Sequence, residues 1–401
     1  MSIKFRRIMW LQPDISLQMF VSQVKGLEML GTSVLPIDYR DEVLKLGIYR
    51  ARKKILGEID SFNPDLVMAS FFSNNYELSP EFLKKIPPKA PLVVLAGDDE
   101  IYGTWQTIYF SQSANAVMTC DFAGQTLYEQ LSMPAVYFFF PSLDFIETLP
   151  VEEKTIDVSF VGNCEKADRS NYINFLRENG INVATFGRGS ENQFVSRNEY
   201  LNIISKSKVN LNFTKTDVHR EILNKEPWRA NIRQLKARSL EISKMKSFCL
   251  SEFSEDIRRV FTIGSEIDVF HDKEELLSKV KFYLKNNEKR EKMASLAFDR
   301  VKRDYDNLEY LGGRYNLLYE KLHSSNGKVE NRPIFRSRDF NASEVKGNFF
   351  IFLTLLRLRR FSLAFGVVPY FLRFDLSCLI GLWNGVTELV SGVISKLKIR
   401  K

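Results

Sequence analysis

Gln234-Leu-Lys-Ala-Arg238-Ser-Leu-Glu241-Ile-Ser-Lys-Met-Lys-Ser-Phe-Cys-Leu-Ser-Glu252 runs from a basic turn through a helical pattern into a short apolar strand. A helix over 234–246 followed at once by a strand over 247–251 is half of a strand–helix–strand unit. The same alternation extends upstream, with strands expected at 156–161, 181–186 and 209–213 and helices at 169–179 and 198–207. Downstream, a short helix at 254–261 and a strand at 267–270 precede a long helix at 273–285. Asp272 and Glu275 open that last helix as an Asp-x-x-Glu capping box, and polar helical sequence continues to about residue 322.

The N-terminal third repeats the pattern. Strands are expected at 7–11, 33–37, 65–70, 92–96, 116–119 and 135–140, with helices at 17–30, 41–59, 80–86 and 122–131 between them. The run 141–150 carries two prolines and little periodicity, so it reads as a linker. Alternation joined by short turns predicts an α/β protein of two Rossmann-like, doubly wound parallel-sheet domains. The expected divisions are 1–148, 149–325, a linker at 326–347 and a helical tail at 348–401. Periplasmic binding proteins and two-domain dehydrogenases share this alternation, so function has to be read from sites.

Composition removes some classes. The 44% hydrophobic content supports sizeable cores. Residues 331–401 hold twelve basic and four acidic residues, an excess equal to the whole formal charge of +8. The rest of the chain is therefore neutral, which argues against a nucleic-acid-binding body and for an anionic membrane surface as a partner of the tail. Cys120, Cys164, Cys249 and Cys378 are far apart, so no zinc motif is expected and a reducing, cytoplasmic setting fits. The first ten residues lack the apolar run and cleavage site of a secretory leader.

In open α/β sheets ligands sit at the carboxyl ends of strands. In the second domain those ends supply Gly162 and Asn163, Gly187 and Gly189, and Thr214 and Lys215. Gly187-Arg-Gly189 is not a dinucleotide fingerprint, because the third glycine is missing. Lys236 and Arg238 open a helix, where basic groups oppose the macrodipole unless an anion is bound. Glu241 lies three residues after Arg238 on the same face, either as an intrahelical ion-pair partner or as an acceptor for the two hydroxyls of a ribose. In the first domain, Asp98 and Asp99 follow the strand 92–96 and are candidates for general base or for orienting an acceptor hydroxyl; the alternative is a turn with an Asx cap. No histidine precedes residue 151, so a first-domain base is not a histidine.

The order Asp157-Val-Ser-Phe-Val-Gly162, Arg169, Phe186-Gly-Arg-Gly189, Ser207-Lys-Val-Asn-Leu-Asn-Phe213, Arg238, Glu241-Ile and Phe248-Cys-Leu-Ser-Glu252 resembles the spore-maturation CgeB-like, group 1 glycosyltransferases. The resemblance covers roughly the second domain. It implies a glycosyltransferase-B (GT-B) fold, with the two domains facing a cleft. It also implies a nucleotide-diphosphate sugar as donor substrate, with no separate cofactor and no metal. Glu241 would lie at the donor ribose, with Lys236 or Arg238 near the diphosphate and Gly162, Asn163, Arg169 and Lys215 around them. The expected reaction is sugar transfer to a glycan or lipid-linked acceptor, as in bacterial surface polysaccharide assembly; a non-catalytic nucleotide-sugar binder at the membrane is the alternative. The chain departs from its relatives at Lys246, where they usually carry a small residue, often glycine; Lys246 either touches phosphate or marks different packing.

In the tail, Arg357, Arg359 and Arg360 interrupt the first apolar run, which disfavours a spanning helix. Farther on, Ser377, Gly381, Asn384, Glu388, Ser391, Ser395 and Lys398 form one small-or-polar stripe on an otherwise apolar helix with a basic end. That pattern suits an interfacial helix at the inner face of the cytoplasmic membrane, or one packed on the protein body.

Overall fold

The computed structural model describes residues 2–71, 76–139, 153–166, 168–192, 194–324, 334–372 and 376–398. The expected linker at 141–150 lies outside them. Two compact units divide the chain: residues 1–139 with 312–401, and residues 140–311. The tail is thus part of the first unit, and the second ends at residue 311 where 325 was expected.

The first unit is built on six strands, β1 (Arg7–Gln12), β2 (Ser33–Asp38), β3 (Leu66–Ser70), β4 (Leu92–Ala96), β5 (Ala116–Thr119) and β6 (Ala135–Tyr137). They form one parallel sheet in the order β2-β1-β3-β4-β5-β6. Every residue of β3, β4 and β5 is buried, which is why these strands read as unbroken apolar runs without alternation. The helix expected at 41–59 is two helices, Tyr39–Leu46 and Ile48–Phe62, because Gly47 between them adopts φ 78°.

The second unit holds β7 (Ile156–Val161), β8 (Val183–Phe186), β9 (Ser207–Asn212), β10 (Cys249–Glu252) and β11 (Asp268–Phe270), in the order β11-β10-β9-β7-β8, again all parallel. The chain leaves β7 toward β8 and returns on its other side with β9. The carboxyl ends of β7 and β9 therefore form the topological switch point, where such sheets bind ligands. Below that crevice, Val158, Phe160, Val209, Leu211, Phe248 and Leu250 anchor the core. Asp272 caps the helix Lys273–Lys285 through the amide of Glu275 at 2.7 Å, and Glu275 reaches back to the amide of His271 at 2.8 Å, one residue beyond the expected partner.

The tail is three helices, Arg338–Arg357, Phe361–Phe371 and Leu376–Lys398. The linker expected at 326–347 is helical from Arg338 on, because Phe340 is needed in the core of the first sheet domain, against Tyr76, Tyr109 and Phe110. Val345, Leu355, Ala364 and Val367 bury against Val43, Ile48 and Ala51. From Ser377 to Glu388 the small-residue stripe is the face turned to the helix Arg338–Arg357. A Cβ on Gly381 would strike the carbonyl of Ala342, Gly385 lies against Phe349, and Glu388 pairs with Lys346 at 3.2 Å. The wide apolar face points outward, with Leu379 and Trp383 exposed. No helix among the described residues is long and apolar enough to cross a membrane.

Candidate active site

Gly162 directly follows β7, and its amide donates to the carbonyl of Phe186 at 2.8 Å. A Cβ on Gly187, at φ 106°, would come within 2.6 Å of the Gly162 oxygen, so two strand ends approach here as only glycine permits. On the other side, a Cβ on Gly162 would meet the Arg238 guanidinium at 2.8 Å. Arg238 lies over the Phe160 ring, 5.2 Å from its centroid, and Nη1 reaches Asn212 Oδ1 of β9 at 3.4 Å. It thereby bridges the ends of β7 and β9. Arg169 stands on the same ring at 5.7 Å and donates Nη1 to the Asn163 carbonyl at 2.9 Å. Its Nε is buried with no hydrogen-bond partner among the described residues.

Two guanidiniums therefore share one aromatic ring at the switch point, and neither forms an ion pair among the described residues. Burial, reinforced by the nearby charge of Arg238, pulls the Arg169 guanidinium down to about 10. Such an arrangement is unfavourable until an anion occupies it, and forked N–H donors match phosphate oxygens. The helix Ala237–Lys244 adds to it, since it starts without a side-chain cap and its first amides face the same end. Lys236 donates to Gln234 Oε1 at 2.7 Å, while Gln234 Nε2 is buried without a partner among the described residues.

Glu241, one turn beyond Arg238, is not its ion-pair partner. Its two oxygens accept from Arg197 Nη1 at 2.9 Å and from the Tyr200 hydroxyl at 2.7 Å. Burial and the Glu241 charge push the Tyr200 phenol well up, so it stays a donor. Arg197 and Tyr200 escaped the sequence reading. Their only local signal is Ser196-Arg-Asn-Glu199, a reciprocal capping box that fixes the start of the helix carrying both.

Two expected anion ligands sit elsewhere. Lys215 pairs with Asp168, and its amide is one of the donors held by the buried Glu252 carboxylate, which ties it into the loop. Asn163 uses its side chain to accept the Glu165 amide at 2.9 Å, so it contributes through its backbone hold on Arg169. Lys246 is exposed at the opposite end of the helix Ala237–Lys244, which at 1.5 Å per residue is about 12 Å long. It takes φ 50°, the left-handed cap conformation that glycine adopts without strain. The departure at Lys246 thus concerns helix termination. Lys246→Gly is expected to stabilise the protein by about 1 kcal/mol; a denaturant midpoint that fails to rise would show that Lys246 makes a compensating contact.

In the first unit, Asp98 and Asp99 part company. Asp98 is exposed at the carboxyl end of β4, at φ 56°, with no side-chain cap bond. Asp99 is buried and accepts from Thr119 Oγ1 at 2.6 Å and the Tyr128 hydroxyl at 2.9 Å. A Cβ on Gly124 would sit 2.6 Å from Asp99 Oδ2, so nothing larger than glycine fits against it. Asp99 is a packed structural acceptor, which leaves only Asp98 open to a substrate.

Asp121, at the end of β5, is buried as well. Burial first, then the charges of Glu100, Asp99 and Asp98, push its carboxyl well above the usual range. A folded state that holds this proton more tightly than the unfolded chain gains most stability in acid. That gain is lost as pH rises through the folded value. Asp121→Asn is therefore expected to raise the unfolding midpoint at neutral pH and flatten its decline with pH. Denaturant titrations across the acid-to-neutral range read this directly, and an equally steep decline in the mutant would refute the assignment.

The strand order, the crevice and its two guanidiniums can be set beside known proteins. Residues 150–309 match the family model described as glycosyl transferase-like. That match takes in β7 to β11 and every second-domain residue named above, and it supports transferase activity for this domain. A glycosyltransferase from Rickettsia africae superposes at TM-score 0.56 with 10% identity, over 80% of this chain and 100% of its own. Sucrose-phosphate synthase from Thermosynechococcus elongatus does so at TM-score 0.56 with 9% identity, over 80% and 99%. HepE from Anabaena, solved with UDP-glucose, matches at TM-score 0.53 with 12% identity, over 80% and 100%. The chain spans 58% of the length of TarM, at 9% identity, 69% coverage of this chain and TM-score 0.49. No curated protein matches the sequence. At these identities the likeness is one of fold, and the fold class is GT-B.

Proposed function

We propose that the protein is a glycosyltransferase that takes a nucleotide-diphosphate sugar and passes the sugar to a glycan or lipid-linked acceptor in surface polysaccharide assembly, in the manner of the CgeB-like enzymes. The observation that carries this reading is the pair Arg169 and Arg238, two guanidiniums with no ion-pair partner among the described residues, at the β7/β9 switch point. The family match over the same residues and the UDP-sugar complex of a protein with this fold support it.

In this reading the diphosphate lies between Arg169 and Arg238 against the backbone of Gly162, with Gln234 and Lys236 at its edge. The nucleoside ribose reaches Glu241, whose oxygens each accept one bond already and keep capacity for hydroxyls. As the acceptor hydroxyl attacks the anomeric carbon, the bond from that carbon to the diphosphate oxygen breaks. Negative charge grows on the departing phosphate, and the two guanidiniums, fixed before reaction, stabilise it without a metal ion. The acceptor proton passes to a base, for which Asp98 is the candidate. The basic tail and its outward apolar face support a location at the inner face of the cytoplasmic membrane.

The test is a panel of UDP-, GDP-, dTDP- and CMP-sugars, read by thermal shift and by released nucleotide. The right nucleotide stabilises the fold by about 3 kcal/mol at concentrations ~100 times its Kd. Slow release of nucleotide to water marks an enzyme. Binding without release from any acceptor-loaded mixture would make the protein a binder, and no shift with any nucleotide would remove the donor site altogether.

A further inference from the structure

The tail helices Phe361–Phe371 and Leu376–Lys398 turn large apolar side chains to solvent: Phe365, Leu379 and Trp383 are 65%, 67% and 69% exposed. Arg357 and Arg359 stand exposed at the start of this surface. In the same unit a cavity of about 440 Å³ opens between the helix Ile48–Phe62, the short helix Pro80–Leu83 and Tyr370. Tyr370 belongs to the helix that carries Phe365, so one element supplies both a wall of the cavity and part of the apolar surface.

The cavity is cationic for a structural reason. Arg52 lies in its wall, 5.3 Å from the Tyr370 ring centroid and 5.6 Å from that of Phe82. Its Nε and Nη2 donate to the Glu77 carbonyl at 3.0 and 2.6 Å. A neutral carbonyl fixes the guanidinium and leaves its charge in place. Lys53 and Lys85 stand exposed at the rim. Glu81, the carboxylate among the lining residues, is gripped by both ends of the Arg336 fork. Three cations thus border the cavity against one acid, which shares Arg336 with Glu344.

We propose that this cavity takes the phosphate head group of a membrane lipid while the apolar face of the two tail helices enters the leaflet beside it. A free phosphate would need the cations alone; the exposed Phe365 on the helix that also lines the cavity with Tyr370 is what a lipid explains. The inference deepens the membrane location given above and rests on it, but involves none of the donor-site residues.

The experiment is flotation of the full chain with vesicles of phosphatidylcholine alone, or doped to equal charge with phosphatidic acid or phosphatidylglycerol. The terminal phosphate of phosphatidic acid is open to the cavity, whereas that of phosphatidylglycerol is capped. Phosphatidic acid vesicles are expected to bind about tenfold more tightly than phosphatidylglycerol vesicles, and Lys53→Gln/Lys85→Gln to erase that preference. Leu379→Ser/Trp383→Ser should weaken binding to both anionic vesicles, and brominated lipid should quench a component of emission that Trp383→Phe lacks. Equal binding to the two lipids, or a preference that survives the double lysine variant, overturns the head-group site while leaving the membrane location intact. No vesicle binding overturns both, and stabilisation by inorganic phosphate without vesicle binding assigns the cavity to the free ion. A retained nucleotide thermal shift in each variant shows that the fold and donor site are intact.

Discussion

Replacing Arg238 by alanine is expected to lower affinity for the nucleotide diphosphate about a hundredfold without lowering the stability of the free protein. The two halves of that result have separate causes. Charge-assisted bonds from a fixed fork to phosphate are among the stronger polar contacts, and Arg238 touches both strand ends of the crevice. In the free protein the same side chain sits near Arg169 with no acid partner among the described residues, so its removal relieves repulsion. Turnover should fall further than affinity, by about 10² to 10³, because the transition state places charge on the leaving phosphate that the bound donor does not yet carry. Arg238→Lys should recover little, since an ammonium neither forks nor stacks on Phe160. Calorimetric titration with the nucleotide, turnover and denaturant unfolding of the three proteins check all of this. An Arg238→Ala protein that binds nucleotide normally would place the diphosphate elsewhere, and one that merely unfolds would make Arg238 a structural residue.

Glu252→Ala should cost about 3 kcal/mol or more. The carboxylate ends β10 with 2% exposure and collects four donors: the amides of Thr214 and Lys215 at 2.9 and 2.7 Å, Thr214 Oγ1 at 3.2 Å and Arg233 Nε at 2.9 Å. Alanine leaves buried donors unpaired and frees the loop that follows β9. Because Arg233 stays one-third exposed, its own charge can hydrate, which keeps the cost near the lower end for a broken buried pair. Glu252→Gln retains one acceptor oxygen and should recover part of the loss. Denaturant unfolding gives the stability, and nucleotide affinity in parallel shows whether the loop also serves the donor site. A cost below about 1 kcal/mol would mean that water replaces the carboxylate.

Much of this was legible in the chain because its signals are local. Leu92–Ala96 and Ala116–Thr119 read as strands because buried parallel strands are apolar on both faces. The Asp272 cap was legible because its partner is three residues away. Gly47 was passed over inside a helical period, since a positive φ leaves no trace in hydropathy. Asp98 and Asp99 looked alike as neighbours in a turn, and only the packing of Thr119, Tyr128 and Gly124 makes one structural and leaves the other open. Glu241 pairs with Arg197 and Tyr200, more than forty positions away in sequence, where spacing pointed to Arg238.

The tail shows the same division. Its net charge, its arginine-interrupted apolar run and the stripe from Ser377 to Glu388 are properties of order and composition, readable without coordinates. Which side of that helix meets the protein was undetermined, because a stripe of small residues suits a helix crossing as well as a polar exposed face. The close approach of Gly381 to Ala342 settles it inward. For the opening stretch, sequence alone determined a basic turn, a helix and a buried strand, since each depends on neighbours within a few residues. That Arg238 stands over Gly162 and shares Phe160 with Arg169, while Lys246 caps the far end, was decided by tertiary structure. Strand order at a switch point joins residues that no local period connects.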